Sequence, residues 1–384
     1  MRKEKAVIFI LSILLIFSIF YISFQEKSTL KNAYKNIISD NKTDEDFSEI
    51  QFYKPTEKGI VGEYDEDKNF RRLDESDKDN VRNIIWDLSQ NSSGIQIHFT
   101  TNSSKIAVNY TLSNFSNGGN INNVAKNGID LYLKKQNSWN FVNAGIPLRE
   151  ENTLLLAQNL DKANKEFVLN LPLYNTIENI EIGIEKSSNI KFQSHFNNKM
   201  VIYGTSITQG ASASRPGLAY SNILSRKLST EIINFGFSGN GHFEKNIAEI
   251  LCKINADFYV IDCTPNSSPE IINKNTKDFF EKLRQCKTNT PIIVLESIIR
   301  ENSKTNIGDE NTFGTFKYIQ KQNRELKKVV SSLNSNQKKN IYYISADSLI
   351  GNDTEGTVDG THLNDLGMER ISNAIYKEIQ KAKL

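Results

Sequence analysis

The alternation of apolar and polar residues in the first half of the chain is typical of half-buried β-strands. Apolar side chains recur at every second position in several short runs, among them residues 95–99, 106–110 and 180–184. Clusters of Asn, Gly and Ser separate the runs, as expected of turns. At least six such strands without intervening helices predict a β-sandwich of the jelly-roll kind, which we expect to form an accessory domain over residues 59–195.

The pattern changes after residue 196 to short apolar strands that alternate with amphipathic stretches. We expect five strands, at residues 199–203, 231–235, 257–262, 291–296 and 340–345. We expect helices at residues 218–228, 243–254, 269–286, 316–333 and 366–382. Strands that alternate with helices form right-handed βαβ units and a parallel sheet. Residues 196–384 should therefore form an α/β domain with a flavodoxin-like, doubly wound parallel sheet.

The start of the chain has the pattern of a membrane segment. Basic residues precede an uncharged apolar run at residues 6–24. As a helix, this run would cover roughly 28 Å, close to the ~30 Å hydrocarbon core of a bilayer. Its basic flank should remain in the cytoplasm. We therefore expect residues 1–25 to be an uncleaved anchor, with a cleaved signal segment and secretion as the alternative. Residues 26–58 are polar and without clear periodicity, which predicts a tether.

Composition and charge narrow the function classes. The net charge is +2 at pH 7 over 384 residues, which gives no electrostatic case for a nucleic-acid partner. The cysteines, Cys252, Cys263 and Cys286, are too few and too scattered to predict a disulfide framework or a zinc site. We expect them to be small buried side chains. Nothing in the sequence indicates a metal or an organic cofactor.

Residues with the chemistry of acyl transfer follow four of the five predicted strands. Ser206 ends a Gly-Thr-Ser sequence after the first strand, and Gly239 lies in the loop after the second. Asn266 follows the third strand, and Asp359 and His362 follow the fifth. Because the carboxyl ends of parallel strands meet at one edge of a sheet, these loops should lie together.

Acyl transfer requires a nucleophile, a base, an acid that orients the base, and N–H donors for the oxyanion. The pattern predicts Ser206 as the nucleophile, His362 as the general base and Asp359 as the orienting acid. The oxyanion hole would comprise the backbone N–H groups of Ser206 and Gly239 and the side-chain amide of Asn266.

Three further residues near these loops are candidates for contact with substrate. Arg215 follows the nucleophile loop and either binds a polar or anionic substrate group or pins the loop. Asn240 is interpreted first as part of the loop architecture. His242 has no acidic partner in its own loop except Glu244. Asp130, in the sandwich region, is interpreted as a turn or strand-edge residue, with contact to a ligand as the alternative.

The residues at the strand ends resemble the four sequence blocks of the SGNH (GDSL-type) hydrolase superfamily. Thr205 and Ile207 stand where that superfamily usually has Asp and Leu. The sequence Gly-Ile-Asp-Leu-Tyr at residues 128–132 resembles the signature of a subgroup with an N-terminal Gly-x-Asp-Leu-Tyr β-domain, so the resemblance covers about residues 60–384. It implies a serine esterase that cleaves short acyl esters, acetyl being the group expected, from a carbohydrate or another polar substrate.

Two other functions remain open at this point. The same triad would serve an acyltransferase, in which an acceptor other than water takes the acyl group. A non-catalytic glycan-binding module is the second alternative. The sequence Asn-Ser-Ser at residues 266–268 is formally a glycosylation acceptor. A glycan there would cover the proposed hole, so we expect a bacterial cell envelope, with the catalytic domain outside the cytoplasm. Residues 297–314 are a candidate lid.

Overall fold

The first part of the fold consists of two antiparallel sheets whose apolar faces share one core. The structure, a computed structural model, describes residues 47–64, 69–116, 118–336 and 340–382. The strands of these two sheets are β1 (Ile50–Tyr53), β2 (Ile60–Val61), β3 (Gln96–Thr101), β4 (Ile106–Leu112), β5 (Ile129–Lys135), β6 (Ser138–Gly145), β7 (Glu151–Ala157), β8 (Lys165–Asn170), β9 (Ile177–Glu185) and β10 (Ile190–Phe192). One sheet has the order β1-β9-β4-β7, and the other has the order β10-β3-β8-β5-β6 with β2 paired to β3.

The apolar residues of the alternating runs face the interior between the two sheets, as the pattern predicts. Ile97 and Phe99 from one sheet and Val108 and Tyr110 from the other are fully buried in a common core. Phe99 also stacks on Phe167 of the neighbouring strand, with ring centroids 5.3 Å apart. The β-sandwich is confirmed.

Two details of the sandwich region differ from the prediction. Short helices, α1 (Asn83–Ser89) and α2 (Asn123–Asn127), interrupt the strands, whereas we expected none. Strand β1 lies in the segment predicted as a tether and pairs antiparallel with β9. A single strand of four residues, with only Ile50 buried, carries too little periodicity to be recognised in a polar segment.

The second part of the fold is a five-stranded parallel sheet. Its strands are β11 (Lys199–Gly204), β12 (Glu231–Gly236), β13 (Phe258–Asp262), β14 (Ile292–Leu295) and β15 (Ile341–Ile344). The spatial order is β12-β11-β13-β14-β15, and every pairing is parallel. This is the 2-1-3-4-5 order of flavodoxin-like sheets, so the predicted fold class is confirmed. The order reverses beside β11, which makes the carboxyl end of β11 the switch point where ligands bind.

Helices cover both faces of this sheet. They are α3 (Ser206–Gln209), α4 (Tyr220–Leu228), α5 (Lys245–Lys253), α6 (Pro269–Cys286), α7 (Phe316–Asn336) and α8 (Asp365–Ala382). Val201 and Tyr203 of β11 pack with α5, α6 and α7 on one face, while Met200 and Ile202 pack with α4 and α8 on the other. Short 3-10 helices occur at Glu57–Gly59, Glu75–Asn80, Pro216–Leu218, Thr264–Asn266, Glu301–Thr305 and Ala346–Ser348.

The expectation for the cysteines is wrong for two of them. Cys252, in α5, and Cys286, the last residue of α6, form a disulfide across 34 residues of sequence. The two helices pack against each other, and this packing brings the two Cα atoms to 5.6 Å, a separation that a disulfide spans. Only Cys263 is the small buried thiol that we expected.

The predicted anchor at residues 1–25 and the tether residues 26–46 lie outside the described residues. Among the residues that the structure describes, no helix combines the length and the apolar character needed to cross a membrane.

Candidate active site

The nucleophile candidate stands at a tight turn from strand to helix. Strand β11 ends at Gly204, and Ser206 is the first residue of α3. A side chain at Gly204 would place its Cβ 2.1 Å from Thr208 Oγ1 and 2.8 Å from Asp262 O, so only glycine fits at the turn. Thr205 caps the helix, because its Oγ1 accepts from the N–H of Ile207 at 3.3 Å. This geometry holds Ser206 at the carboxyl edge of the sheet.

The structure joins Ser206, His362 and Asp359 in one chain of hydrogen bonds. The distance from His362 Nε2 to Ser206 Oγ is 3.0 Å. His362 Nδ1 lies 2.7 Å from Asp359 Oδ2. A small closed loop delivers both residues, because Thr357 and Leu363 form an antiparallel bridge. The separation of Ser206 and His362 lies within the hydrogen-bond reach that a general base requires.

Asp359 is held as a carboxylate. Its Oδ1 accepts from the backbone N–H groups of Thr361, at 3.0 Å, and His362, at 2.8 Å. Partial burial raises the pKa of Asp359, but the hydrogen bonds from the backbone and the imidazole of His362 and from Thr361 outweigh it and hold this pKa well below its usual value. A charged Asp359 favours the tautomer in which Nδ1 of His362 carries the hydrogen and Nε2 accepts from Ser206.

The three residues predicted for the oxyanion hole lie on neighbouring loops. The backbone N–H of Ser206 belongs to the first turn of α3, where N–H groups lack partners within the helix. Gly239 has φ +70°, and its Cα faces open space. The Asn266 amide donates to Asn240 O at 2.8 Å, which ties Asn266 to the Gly239 loop. An amide nitrogen has two hydrogens, so Asn266 retains one donor for an oxyanion.

Arg215 is a structural residue of the loop that follows the nucleophile. Its Nη1 donates to Asp130 Oδ2 at 2.6 Å and to Tyr132 OH at 2.5 Å. Its guanidinium also lies 4.0 Å from the ring centroid of Phe141. Of the two alternatives for Arg215, these contacts favour the one in which it holds its loop in place; contact with substrate is less favoured.

Asp130 therefore has a role that the sequence analysis missed. It is fully buried and sits inside β5, which pairs with strands on both sides, so the strand-edge interpretation is wrong. Besides Arg215, it accepts from the N–H of Gly217, at 2.9 and 3.1 Å, and from Asn170 Nδ2 at 2.8 Å. The Gly-Ile-Asp-Leu-Tyr sequence thus fastens the loop after the nucleophile to the sandwich.

The other two substrate-contact candidates serve the loop after β12. Asn240 is buried, and its amide donates to Ser238 O at 2.9 Å. The backbone N–H of His242 donates to Glu244 Oε2 at 2.6 Å. Burial lowers the pKa of the half-buried His242 imidazole. In the described structure, neither side chain hydrogen-bonds to Ser206 or His362.

Two polar residues at the site were missed as functional candidates. The side-chain amide of Asn120, from the loop between β4 and α2, lies 2.8 Å from Asp359 Oδ2. Asp262, the last residue of β13, accepts from Thr208 Oγ1 at 2.9 Å and from Tyr220 OH at 3.1 Å beneath the nucleophile turn. Burial raises the pKa of Asp262 to about 7. Asp262 could have been recognised as a site residue from its position at the end of a strand. Asn120 could not, because a Gly-Gly-Asn sequence is typical of an ordinary turn.

A polar cleft of about 410 Å³ lies beside the loop that carries His362. It is lined by Arg300, Asn302, Thr305, Asn306, Phe313 and Thr361, with Gly314 completing its wall. The Arg300 guanidinium lies 4.4 Å from the Phe313 ring centroid, and its Nη2 donates to Pro265 O at 3.1 Å. Two larger clefts, of about 680 and 650 Å³, are lined mainly by α7 and α8 and contain none of the candidate site residues.

The loop 297–314, our candidate lid, is hydrogen-bonded in this structure to the loop that carries Asp359 and His362. The N–H of Glu301 donates to Gly360 O at 2.9 Å. The Glu301 carboxylate accepts from the N–H groups of Gly356, at 2.6 Å, and Thr357, at 3.1 Å. Within the described residues, no group of three or more His, Cys, Asp or Glu side chains is placed to hold a metal ion.

The doubly wound sheet, the sandwich and the strand-end residues together define an SGNH-type hydrolase, an enzyme that cleaves ester bonds. Residues 197–380 match the model of the GDSL-like lipase/acylhydrolase family, and residues 50–190 match that of the N-terminus of SGNH-hydrolase-type esterases. The chain belongs to this family of acyl hydrolases.

Solved structures agree with this assignment. A GDSL-like lipase from Bacteroides ovatus is 38% identical, with a TM-score of 0.82 over 87% of this chain and 98% of that one. The salicylyl-acyltransferase SsfX3 is 16% identical, with a TM-score of 0.70 over 87% and 98% of the two chains. A family two carbohydrate esterase from Clostridium thermocellum is 12% identical, with a TM-score of 0.55 over 75% and 92%. The last two share the fold alone. No curated protein sequence matched the chain.

Proposed function

We propose that the protein is a serine esterase that removes a short acyl group, acetyl in the first instance, from a carbohydrate or another polar alcohol. The observation that carries the proposal is the hydrogen-bonded chain from Ser206 through His362 to Asp359 at the switch point of the sheet. Of the arrangements in the described residues, it is the one that supplies a nucleophile, a base and an orienting acid in order.

The reaction follows from this geometry in two stages. His362 Nε2 takes the proton of Ser206 Oγ as that oxygen attacks the ester carbonyl, and Asp359 stabilises the imidazolium that forms. The N–H groups of Ser206 and Gly239 and the amide of Asn266 bind the oxyanion; each such donor contributes about 3–4 kcal/mol to the transition state. His362 then protonates the leaving alcohol, which leaves an acyl group on Ser206. A water molecule activated by His362 releases the acid.

The cleft beside the loop that carries His362 supports a polar alcohol as the leaving group. Asn302, Asn306 and Thr361 offer side-chain hydrogen-bonding groups to sugar hydroxyls. Phe313 is 60% exposed and presents an apolar ring to the same space. A lining with one aromatic ring among polar groups suits a sugar better than a long hydrocarbon chain. The preference for acetyl rests on the family resemblance alone.

We place the protein in the bacterial cell envelope, with the esterase domain outside the cytoplasm. The Cys252–Cys286 disulfide supports this location, because disulfides persist mainly in oxidising compartments. The apolar run at residues 6–24 after a basic start supports a membrane anchor whose basic N-terminal flank remains in the cytoplasm while the rest of the chain lies outside.

The test compares the full chain with Ser206→Ala on p-nitrophenyl esters of acetate, butyrate and octanoate and on an acetylated xylo-oligosaccharide. We expect acetate to be the best acyl group and the oligosaccharide to release acetate. Ser206→Ala should lose about 10⁴-fold or more in kcat. Ser187→Ala, at an exposed turn, is the matched control and should retain full activity.

Four results would redirect the assignment. A preference for octanoate would reject the acetyl assignment. Acyl transfer to an added alcohol in excess of hydrolysis would make the protein an acyltransferase. Equal, measurable rates for the unaltered chain and Ser206→Ala would remove Ser206 as the nucleophile. Activity in neither protein, with no labelling of Ser206 by a fluorophosphonate, would favour a non-catalytic binding module.

A further inference from the structure

We propose that Asn120, a residue of the sandwich domain, is a positioning residue of the active site, which fixes Asp359 and through it His362. The inference rests on the proposed function, since it assigns Asn120 a part in the same triad. It also makes the sandwich more than an accessory, because the sandwich then supplies a side chain that contacts the catalytic machinery.

The contacts of Asp359 carry the proposal. Its Oδ1 accepts from two backbone N–H groups, those of Thr361 and His362, and its Oδ2 accepts from His362 Nδ1. Asn120 Nδ2 donates to the same Oδ2 at 2.8 Å. A carboxylate has about four acceptor sites, and these four donors fill them. Asn120 is therefore the fourth donor to this carboxylate, and the one that comes from the sandwich domain.

The same contact places Asn120 against the imidazole. Asn120 Nδ2 lies 3.0 Å from His362 Nδ1. Since Nδ1 of His362 donates to Asp359, both nitrogens direct their hydrogens at one carboxylate oxygen. Any rotation of Asp359 breaks both hydrogen bonds at once, so the amide holds the carboxylate in the orientation that keeps Nε2 facing Ser206.

Hydrogen bonds on both sides hold the Asn120 loop in place. Asn120 O accepts from Ser212 Oγ at 2.9 Å. Asn122, two residues on, donates from Nδ2 to Ser214 O at 3.0 Å, and its Oδ1 caps α2 at the N–H of Ala125 at 3.0 Å. The loop is thus tied to the segment that follows the nucleophile helix. Asn120 itself is exposed, so its amide lies at the rim of the site.

The decisive variant is Asn120→Asp, which keeps the shape and replaces a donor by a second carboxylate about 3 Å from the imidazole. The charged groups that face this pair in the described residues are Asp359, from the loop of His362, and Arg300, which interacts electrostatically with Asp359. A second negative charge stabilises the imidazolium. The acid limb of the kcat/KM profile should therefore move to higher pH by about 1 unit, the low end of the usual range because the site is exposed.

A readout without turnover makes the inference independent of the reaction. The chain has four histidines, so ¹³C-histidine labelling gives few NMR signals, and the signal missing from His362→Gln belongs to His362. Its titration midpoint should rise in Asn120→Asp. Asn114→Asp makes the same chemical change on the same loop, where Asn114 Nδ2 donates to Ser113 Oγ at 3.2 Å, and should leave the midpoint unchanged.

A second variant tests the positioning role itself. Asn120→Ala removes the donor without adding charge, so kcat should fall about 10-fold while KM stays within about twofold. The proposal is overturned if the midpoint of His362 moves by less than about 0.2 pH units in Asn120→Asp, or if Asn120→Ala retains full kcat. If the His362 midpoint shifts as expected in Asn120→Asp but Ser206 does not react, the proposed function is rejected while the contact between Asn120 and Asp359 is supported.

Discussion

The buried ion pair between Asp130 and Arg215 should be a main determinant of stability and of the shape of the nucleophile loop. Asp130 is fully buried, and the Arg215 side chain is 17% exposed. Burial raises the pKa of Asp130, and Arg215 opposes the rise only in part. The pair is therefore costly to bury, yet the loss of one partner leaves the other without compensation.

Asp130→Ala leaves three donors without their acceptor: the guanidinium of Arg215, the N–H of Gly217 and the amide of Asn170. Breaking a buried pair in this way costs about 3–5 kcal/mol. For the unit Ile50–Leu384, of roughly 335 residues, an unfolding entropy of about 2.1 cal/mol/K per residue converts this cost into a fall of about 4–7 °C in Tm.

The assay is denaturant and thermal unfolding of the full chain, together with kcat/KM. Asp130→Asn should cost less than Asp130→Ala, since its amide oxygen still accepts from Gly217. Asp353→Ala is the matched control. Asp353 also pairs with an arginine, Arg370, at 2.6 Å, but its side chain is 49% exposed, so Asp353→Ala should change stability much less than Asp130→Ala does. A loss below about 1 kcal/mol for Asp130→Ala would refute the reasoning.

Two further predictions concern pH and redox state. Burial raises the pKa of Asp262 to about 7, whereas the pKa of an Asp in the unfolded chain is about 3.9. The folded state therefore holds this proton more tightly than the unfolded state. The stability that the protonated carboxyl contributes is complete below about pH 4 and is lost as pH rises through about 7. Asp262→Asn should lack this fall in denaturant midpoints between pH 5 and 7.5, and an unchanged fall would contradict the burial argument. The Cys252–Cys286 disulfide closes 34 residues, so reduction should cost about 3–4 kcal/mol. Under denaturing, non-reducing conditions a thiol reagent should modify one cysteine, Cys263. Modification of three cysteines would contradict the disulfide.

The sequence was sufficient to predict elements whose side chains repeat with a clear period. The helix Pro269–Cys286 was predicted with its observed bounds, because a proline after a serine cap starts it and apolar residues recur at helical spacing. The five parallel strands are continuous apolar runs, as expected when both faces of a sheet are covered. Helix α3 was not predicted, because its four residues are too short to show a period.

The features that the sequence analysis missed depend on contacts between distant residues. Asn120 and Asp359 are 239 positions apart, and an Asn after two glycines is an ordinary turn residue by composition. Asp130 looked like a strand-edge residue because its partner Arg215 lies 85 positions away. The residues predicted for the triad could be placed, since the ends of parallel strands share an edge, whereas contacts between the sandwich and the sheet follow no such rule.

The most direct test of the central claim is the covalent labelling of the full chain with a fluorophosphonate, read by peptide mass spectrometry. We expect a single adduct, on Ser206, which is absent in Ser206→Ala. In His362→Gln the adduct should form much more slowly, because Nε2 of His362 lies 3.0 Å from Ser206 Oγ and takes its proton. Labelling at another residue, or equal labelling of Ser206 in His362→Gln, would contradict the assignment of Ser206 and His362 as nucleophile and base.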